Sequence, residues 1–573
     1  MSELHLLDKL LIALYLVGIT VLGAWTARRV KTSGDFFMPR SFGKGMMIFN
    51  AFGTGTAADQ AVTVASTTFQ HGLSGIWWQW LWLPATPFYW LIAPVMRRLR
   101  ATTTADAYTL RFDRSVGALF AVVGIVGLSV KIGLMLKGAG ALIEASTGGA
   151  YPADKAIWTV TVLFVAYGAA GGLAAAIITD YVQGILTLAF SFMLLPFVLS
   201  EVGGLAGAKE TISNPDLLRL VVPGEISAFF VAAYALQALI GIVAQPFIMG
   251  VCAAGRTEMD GRVGFMVGNL VKRLCTMAWC ITALAAVAWY MNRGVPLDEV
   301  KPDHVYGDLA NWFLPRLAPG LLGLFIASLL ASAMSSCDAF MISSAGLFTT
   351  NVYKPLALGR SEGHYLTVGR VTSLAVVAGG LAFAFWVPGV KEALDIWLRI
   401  APLMGIAFWL GLFWRRTTVA GAWAATLAGF AAWWLATRPQ LAAHVAAWSV
   451  AEPWGLLATG KQGASLAISE PWVVMFYTAA ATIAGIVVSL LTKPVAAEKL
   501  TQFYELIRTP VAPDEPPAHN CRLPASVTPA PRRVLIDAWG LEILRPSRLS
   551  VAGFLAGWVA VAVLVGAFYT IVR

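Results

Sequence analysis

Charged residues are scarce in this chain. Asp, Glu, Lys and Arg make up only 13% of its 573 residues, while apolar and aromatic side chains make up 58%. Soluble globular proteins carry about 25% charged residues, so the composition excludes an ordinary water-soluble domain. Apolar runs extend over almost the whole length instead of one region. We therefore expect a polytopic membrane protein and not a string of soluble domains.

Cysteine and histidine are also rare, with five and six copies. No two cysteines have the spacing of a disulfide framework, or of a metal site with histidine partners. The sequence contains no set of nucleophile, base and orienting residue and no phosphate-binding loop. We therefore expect no enzymatic activity, and the cysteines leave the redox compartment open.

Acidic residues are fewer than basic ones, and the formal net charge is +10. A nucleic-acid surface would interleave basic and aromatic side chains in one patch, and the sequence has no such patch, so we expect no nucleic-acid partner. The basic residues lie instead in short loops after every second apolar run. By the positive-inside rule these loops are cytoplasmic and both termini lie outside, most simply in the plasma (inner) membrane. The first such loop holds Arg28, Arg29, Lys31, Arg40 and Lys44.

Long apolar runs are the most informative feature that the sequence does contain. A helix crosses the hydrocarbon core with about 20 residues, and about fourteen runs satisfy this criterion, which predicts an all-α polytopic membrane protein. They lie near residues 6–27, 45–69, 73–96, 115–146, 156–175, 177–202, 226–253, 263–290, 318–350, 367–388, 393–413, 417–437, 471–492 and 551–571.

Three regions follow from these runs: a membrane-spanning core over residues 1–492, a polar insert over 493–550, and a final helix over 551–573. The insert includes Thr509–Pro517, a proline-rich stretch that cannot be helical. It falls on the cytoplasmic side, where we favour a plain tether over a regulatory role. The outer loop 438–470 is expected to carry a short amphipathic helix.

Two spans contain polar residues that their surroundings do not explain. Asp180 stands alone in an apolar run, and an ionisable group at membrane depth usually faces a pathway or a bound ion. The second span contains Gly53, Gly55 and Thr56, which make a poor continuous helix. Unwound backbone at this depth lines a cavity and frees carbonyls for a cation. Tight helix packing through small residues explains the glycines equally well.

The ninth span is more specific. Ser335 and Ser336 are adjacent, Ser332 lies one turn earlier, and Asp338 follows. Hydroxyl and carboxylate oxygens are hard ligands, suited to sodium or a proton and not to a soft metal. The competing interpretation is that serines bond to carbonyls of their own helix, which we favour for Ser343 and Ser344.

Several segments together resemble the sodium:solute symporter family, which includes proline, sugar, sialic acid, pantothenate and iodide transporters. They are 331–338 (ASAMSSCD), 351–355 (NVYKP), 179–183 (TDYVQ), 98–112 (RLRATTTADAYTLRF), 245–246 (QP) and 412–418 (LFWRRTT). The resemblance covers roughly residues 6–490. It implies a five-plus-five inverted repeat of the leucine-transporter type with flanking helices.

The resemblance also implies a sodium site. Its ligands would be the backbone carbonyls of Gly53, Thr56 and Ser332 and the hydroxyls of Ser335 and Ser336. Asp180 matches an acidic residue that some members use for a second sodium or for coupling. Asp338 fits a common family variant. Some members with a second sodium site carry paired hydroxyls where this chain has Asp338 and Ala339, so the resemblance does not decide whether a second sodium site exists here.

Substrate residues are candidates only. The resemblance to the sugar symporters aligns Gln60 with a glutamine that contacts the sugar. Gln79 stands where those proteins have an acidic sugar ligand, and Trp82 stands at a neighbouring position where they have a small residue. Lys137, Lys272, Asp395 and Arg399 are further ionisable residues in or near spans. Asp395 and Arg399 are four residues apart, which favours an ion pair between them. Lys137 and Asp59 are a second possible pair. The sharper hypothesis is that Lys137 or Arg399 receives a substrate carboxylate.

We therefore expect a sodium-coupled symporter that imports a small organic solute by alternating access, with oligomeric state open. Sodium is the expected coupling ion. One alternative is proton coupling through Asp180 or Asp338, with the sodium shell vestigial. The other is a membrane sensor on a transporter scaffold, but a sensor should carry a signalling domain, and the insert is short and proline-rich.

Overall fold

A computed structural model describes residues 4–28, 36–223, 226–400, 402–458, 466–513, 515 and 520–573. Arg29 and Lys31 of the first basic loop, and Asp514, Pro516 and Pro517 of the proline-rich stretch, lie outside the described residues.

The described chain is overwhelmingly helical, with one small sheet. The first helices are α1 (Leu6–Ala27), α2 (Lys44–Gly55), α3 (Ala58–His71), α4 (Trp77–Trp80), α5 (Thr86–Arg98), α6 (Thr104–Arg111), α7 (Arg114–Ser146), α8 (Ala153–Met193), α9 (Leu195–Glu201), α10 (Gly204–Thr211), α11 (Ala228–Ile242) and α12 (Ile248–Ala253). They are followed by α13 (Glu258–Asn292), α14 (Val305–Leu317), α15 (Leu321–Leu347), α16 (Lys354–Leu356), α17 (Glu362–Trp386), α18 (Val390–Ile400), α19 (Gly405–Phe413), α20 (Val419–Ala436), α21 (Pro439–Ala446), α22 (Glu470–Leu491), α23 (Ala497–Arg508), β1 (Val534–Ala538), β2 (Leu541–Leu544) and α24 (Arg548–Val572).

Ten helices in the described ranges are long and apolar enough to cross a membrane. The other four predicted spans, near 45–69, 73–96, 156–175 and 226–253, are divided into shorter helices or end at a kink. The structure therefore confirms a multi-span helical membrane protein, but it does not establish the number fourteen. Helices α13 and α15 are almost entirely buried and form the centre, whereas α1 and α24 expose most of their surface at the periphery.

The second predicted span is interrupted at Thr56 and Ala57. Both residues have extended backbone angles, with φ/ψ of −130°/107° and −136°/172°. Gly53 and Gly55 weaken the helix just before this point, because glycine costs a helix about 1 kcal/mol relative to alanine. The break leaves peptide groups without helical partners deep in the molecule.

The seventh predicted span is interrupted in the same way between α11 and α12. Pro246 has no amide hydrogen, and its ring disfavours helical angles at Gln245. The side chain of Gln245 lies at the edge of the central cavity described below.

Helix α8 contains a sharp kink at Gly172, where φ is 59° and ψ is −163°. These angles are accessible to glycine and strained for other residues. A Cβ at this position would lie 2.6 Å from the carbonyl oxygen of Phe36, so the close approach also requires glycine. The kink separates residues 153–171 from the span that carries Asp180.

The insert is folded onto the core, which corrects our expectation of a plain tether. Helix α23 packs against α5 and α6, and strands β1 and β2 form a hairpin. Trp539 and Gly540, with φ of 50° and 79°, make its two-residue turn, as hairpins of this length prefer. Arg100 binds Glu515 through two bonds of 2.6 and 2.7 Å, and Arg415 binds the buried Glu542 at 2.6 Å.

The outer loop contains α21, which confirms the short helix expected there. Residues 459–465 of this loop lie outside the described ranges.

Candidate functional site

The interrupted second span and the serine-rich helix α15 meet inside the molecule. The hydroxyl of Ser336 donates a hydrogen bond of 2.7 Å to the carbonyl oxygen of Gly53. The amide of Thr56 donates to the same oxygen at 3.3 Å, across the break. The Gly53 carbonyl thus accepts hydrogen bonds from its own interrupted span and from α15, where Ser336 lies 283 residues further along the chain.

Helix α8 also contributes a side chain to this place. The hydroxyl of Ser335 donates to a carboxylate oxygen of Asp180, and both side chains are buried. A Cβ on Gly53 would lie 2.7 Å from the Ser335 hydroxyl oxygen and 3.3 Å from Cγ of Asp180. Glycine at 53 therefore allows the carboxylate, the hydroxyl and the broken backbone to share one small space. We call Gly53, Thr56, Asp180, Ser335 and Ser336 the oxygen cluster.

Two oxygens of the cluster are buried without a hydrogen-bond partner: Oγ1 of Thr56 and Oδ2 of Asp180. A buried polar atom left without a partner costs about 1–3 kcal/mol. Carbonyl, hydroxyl and carboxylate oxygens are the donors that hard cations prefer. The donor set and its unpartnered oxygens fit an alkali cation, which would satisfy several of them at once.

Two other predicted ligands have different surroundings. The hydroxyl of Ser332 donates to the carbonyl of Leu329 in its own helix at 2.8 Å, and the sequence prediction used the carbonyl of Ser332 and not its hydroxyl. Asp338 lies against α8, where a Cβ on Gly168 would be 2.1 Å from Oδ1. Ser343 and Ser344 donate to carbonyls four residues earlier, which confirms our interpretation of those two residues.

A central cavity opens beside the break, where Thr54 and Gly55 form part of its lining. Gln60, Gln79 and Trp82, the three uncharged candidates for substrate binding, all line it. The amide of Gln60 donates to the carbonyl of Gly55 at the end of α2, while its Oε1 has no partner. The structure thus brings these three residues together on one wall.

The charged candidates need correction. Asp59 pairs at 2.9 Å with Lys131 and not with Lys137. Arg399 pairs at 2.8 Å with Glu470 and not with Asp395. Neither Lys137 nor Arg399 is among the described residues that line the cavity.

Three cations do line the cavity: Lys131, Lys272 and Arg273. Lys131 lies 4.5 Å from the ring centre of Trp397, a cation–π contact. Arg273 donates at 2.9 Å to the carbonyl of Gln79. Lys272 is among the ionisable residues that we named from the sequence, whereas Lys131 was missed. Depth along the span could have identified Lys131, because it lies near the midpoint of Arg114–Ser146.

Known proteins resemble this chain over most of its length. The model of the sodium:solute symporter family matches residues 36–429. The osmoregulated proline transporter OpuE of Bacillus subtilis is 25% identical over 444 residues, covering 73% of this chain and 86% of the relative. The sodium/pantothenate symporter of Haemophilus influenzae is 24% identical over 434 residues, covering 71% and 86%. These relatives are transporters and not enzymes.

Among solved structures, a substrate-bound, outward-open Na+-coupled sialic acid symporter superposes with a TM-score of 0.69 at 16% identity. The match covers 86% of this chain and 100% of that one. At this identity the likeness establishes a shared fold. Because the family match spans well over half of the sequence, the chain belongs to the sodium:solute symporter family.

Proposed function

We propose that this chain imports a small organic solute together with sodium by alternating access, with the sodium held by the oxygen cluster. The observation that carries the proposal is the 2.7 Å bond from Ser336 to the Gly53 carbonyl. It joins the interrupted α2 to α15 beside two buried oxygens that lack partners. The Ser336 hydroxyl would turn its hydrogen away from Gly53, and a sodium ion would bind the carbonyl oxygen and the intact hydroxyl oxygen, with Thr56 and Asp180 adjacent.

The positions of the two interruptions support the predicted inverted repeat. The break at Thr56 and the break at Gln245 lie in spans that are five apart, so each interrupted helix would begin one repeat. In such transporters discontinuous helices form the binding sites near the middle of the bilayer. Binding of sodium would fasten α15 to the interrupted helix, and its release would allow the two groups of helices to move apart. The two ligands would stabilise each other by about 1–3 kcal/mol.

The contacts of the insert support the predicted orientation. The basic segments around Arg98, Arg100 and Arg415 all contact residues 509–542 or their neighbours, so they lie on one face. Arg40 also lies there, because it donates to the carbonyl of Ala101 at 2.9 Å. We assign this face to the cytoplasm by its positive charge. In the proposed orientation α1 would end and α24 would begin at that face, so both termini would lie outside, with the protein in the plasma membrane.

Sodium dependence of the Ser336→Ala protein tests the proposal. The matched control is Ser344→Ala, which removes a buried hydroxyl of the same helix that bonds only to its own backbone. In purified protein, we expect sodium to raise the Tm of the wild type and the control. In Ser336→Ala the half-maximal sodium concentration should rise at least about tenfold, the loss of a ligand worth 1.4 kcal/mol or more. Identical sodium curves for all three proteins would refute the site.

One observation favours proton coupling as a second candidate. Asp180 is fully buried in the oxygen cluster, with one oxygen bonded to Ser335 and the other without a partner. A carboxyl in these surroundings can take a proton in place of a cation. Transport in proteoliposomes that follows an imposed pH gradient, and is unchanged when sodium is replaced by choline, would favour the proton.

A further inference from the structure

The central cavity carries an excess of positive charge. We infer that its solute is an organic anion, a carboxylate with an apolar body, held by Lys272 and Arg273; this rests on the proposed transport function. Among the charged residues that line the cavity, all three are cations, and the wall also includes Trp78, Trp82, Phe247 and Trp397.

Lys131 does not contribute to the excess of positive charge in the cavity. Its ammonium lies 2.9 Å from Oδ2 of Asp59, and both side chains are at most 5% exposed. This pair is neutral as a unit. Asp180 belongs to the oxygen cluster, where a transported cation would match its charge. Lys272 and Arg273 are therefore the charges that the protein itself leaves uncompensated.

Lys272 is 7% exposed and lies at the break, since a Cβ on Gly55 would be 3.5 Å from its Nζ. Arg273 is 1% exposed, and its Nε is buried without a hydrogen-bond partner. Among the described residues, no carboxylate oxygen lies within 4 Å of a side-chain nitrogen of Lys272 or Arg273, because all the ion pairs involve other residues. Unpaired buried cations are costly, and a bound anion removes that cost.

The charge balance distinguishes an anion from a zwitterion. The ammonium of an amino acid would add a further positive charge, and none of the described residues that line the cavity is an acid that could match it. Asp59, which contacts Lys131 of the lining, is already paired with that lysine. A neutral sugar would leave both cations unpaired. The indole and phenyl rings provide the apolar surface that the body of a carboxylate solute requires. The Arg273 guanidinium and the Lys272 ammonium are both suited to a carboxylate head.

A binding screen with matched probes tests the inference. The thermal stability of the purified full chain is measured in saturating sodium with acetate, propionate, pyruvate and phenylacetate. Acetamide, propionamide and phenylacetamide test the same shapes without charge, and proline and glucose represent the zwitterionic and neutral classes. We expect one or more carboxylates to raise the Tm and their amides to leave it unchanged. Stabilisation by proline, glucose or an amide, or by none of the carboxylates, overturns the inference.

Charge-removing variants give a second readout. Lys272→Met and Arg273→Gln should weaken binding of the stabilising carboxylate at least about tenfold, as loss of a charge-assisted bond predicts. Without solute, Lys272→Met should raise the Tm, because it removes an uncompensated buried charge. Lys155→Met, an exposed lysine, should change neither. A lower Tm for empty Lys272→Met would mean that the lysine is structural, and would overturn the inference.

The same experiments separate this inference from the proposed function. If Ser336→Ala loses the sodium response, and if proline or glucose raises the Tm only with sodium present, sodium coupling is supported. That combination refutes only the anionic solute. A carboxylate hit that is independent of sodium and of Ser336 refutes the coupling and leaves the cavity assignment.

Discussion

Gly53 is the residue on which the oxygen cluster depends. Its missing side chain lets the Ser335 hydroxyl and the Asp180 carboxylate approach the broken helix. A methyl group here would meet the Ser335 oxygen at 2.7 Å, closer than carbon and oxygen normally approach. The cluster would have to open by several tenths of an ångström to accept it.

We therefore expect Gly53→Ala to weaken the sodium response at least about tenfold, since displaced ligands cost more than 1.4 kcal/mol. The measurement is the sodium dependence of Tm, or of uptake once a solute is known. Gly18→Ala is the control, because a Cβ there meets nothing within 4 Å. A Gly53→Ala protein with the wild-type sodium curve would show that the cation binds elsewhere.

At the scale of single residues, the sequence predicts which residues form the site better than it predicts the contacts between their side chains. The Gly53, Ser335, Ser336 and Asp180 set comes from motifs, and the structure gathers these residues. Lys131, six residues before Lys137, could not be assigned to Asp59 from spacing, because the pair joins two helices whose relative rotation depends on packing of the whole core. Arg399 illustrates the same limit: a partner four residues away is available, but Glu470 from another helix takes the contact.

At the scale of elements, the interruptions follow from local chemistry and the kink does so only in part. Gly53 and Gly55 predict the first break, and Pro246 fixes the second. The adjacent Gly171 and Gly172 indicate a break between the predicted spans 156–175 and 177–202, but they do not determine the geometry of the turn. It depends on a contact with Phe36, more than a hundred residues away, whose backbone approaches the glycine.

Gly172→Ala should destabilise the protein by about 1–3 kcal/mol, the cost of a strained backbone conformation. The measured quantity is the Tm in detergent without ligand. Gly363→Ala, in a helix where a Cβ meets nothing within 4 Å, should be unchanged or slightly more stable. Equal Tm values for wild type and Gly172→Ala would mean that the kink relaxes at no cost.

At the scale of the whole molecule, the insert contacts segments of the core that lie far apart in sequence. Glu515 contacts Arg100 with 6% and 1% of the two side chains exposed, and Glu258 both pairs with Arg98 and accepts a bond from the amide of Val511. Proline content predicted that this stretch is not helical, but it could not predict docking, since the partners are distributed over loops far apart in sequence.

Removing one partner of such a buried pair is strongly destabilising, by about 3–5 kcal/mol. Glu515→Gln should therefore loosen the insert and increase the rate of its cleavage in limited proteolysis. Asp216→Asn, which breaks an exposed pair with Arg219, should leave the rate unchanged. Cleavage at the wild-type rate in Glu515→Gln would show that the remaining contacts hold the insert by themselves.

The hydrogen bond from Ser336 to Gly53 would also oppose part of the movement proposed for this chain. It links the interrupted α2 to α15, so separating those two helices breaks it. A neutral hydrogen bond contributes about 0.5–1.5 kcal/mol to stability. Under alternating access, each conversion between the two states would have to overcome a cost of about this size.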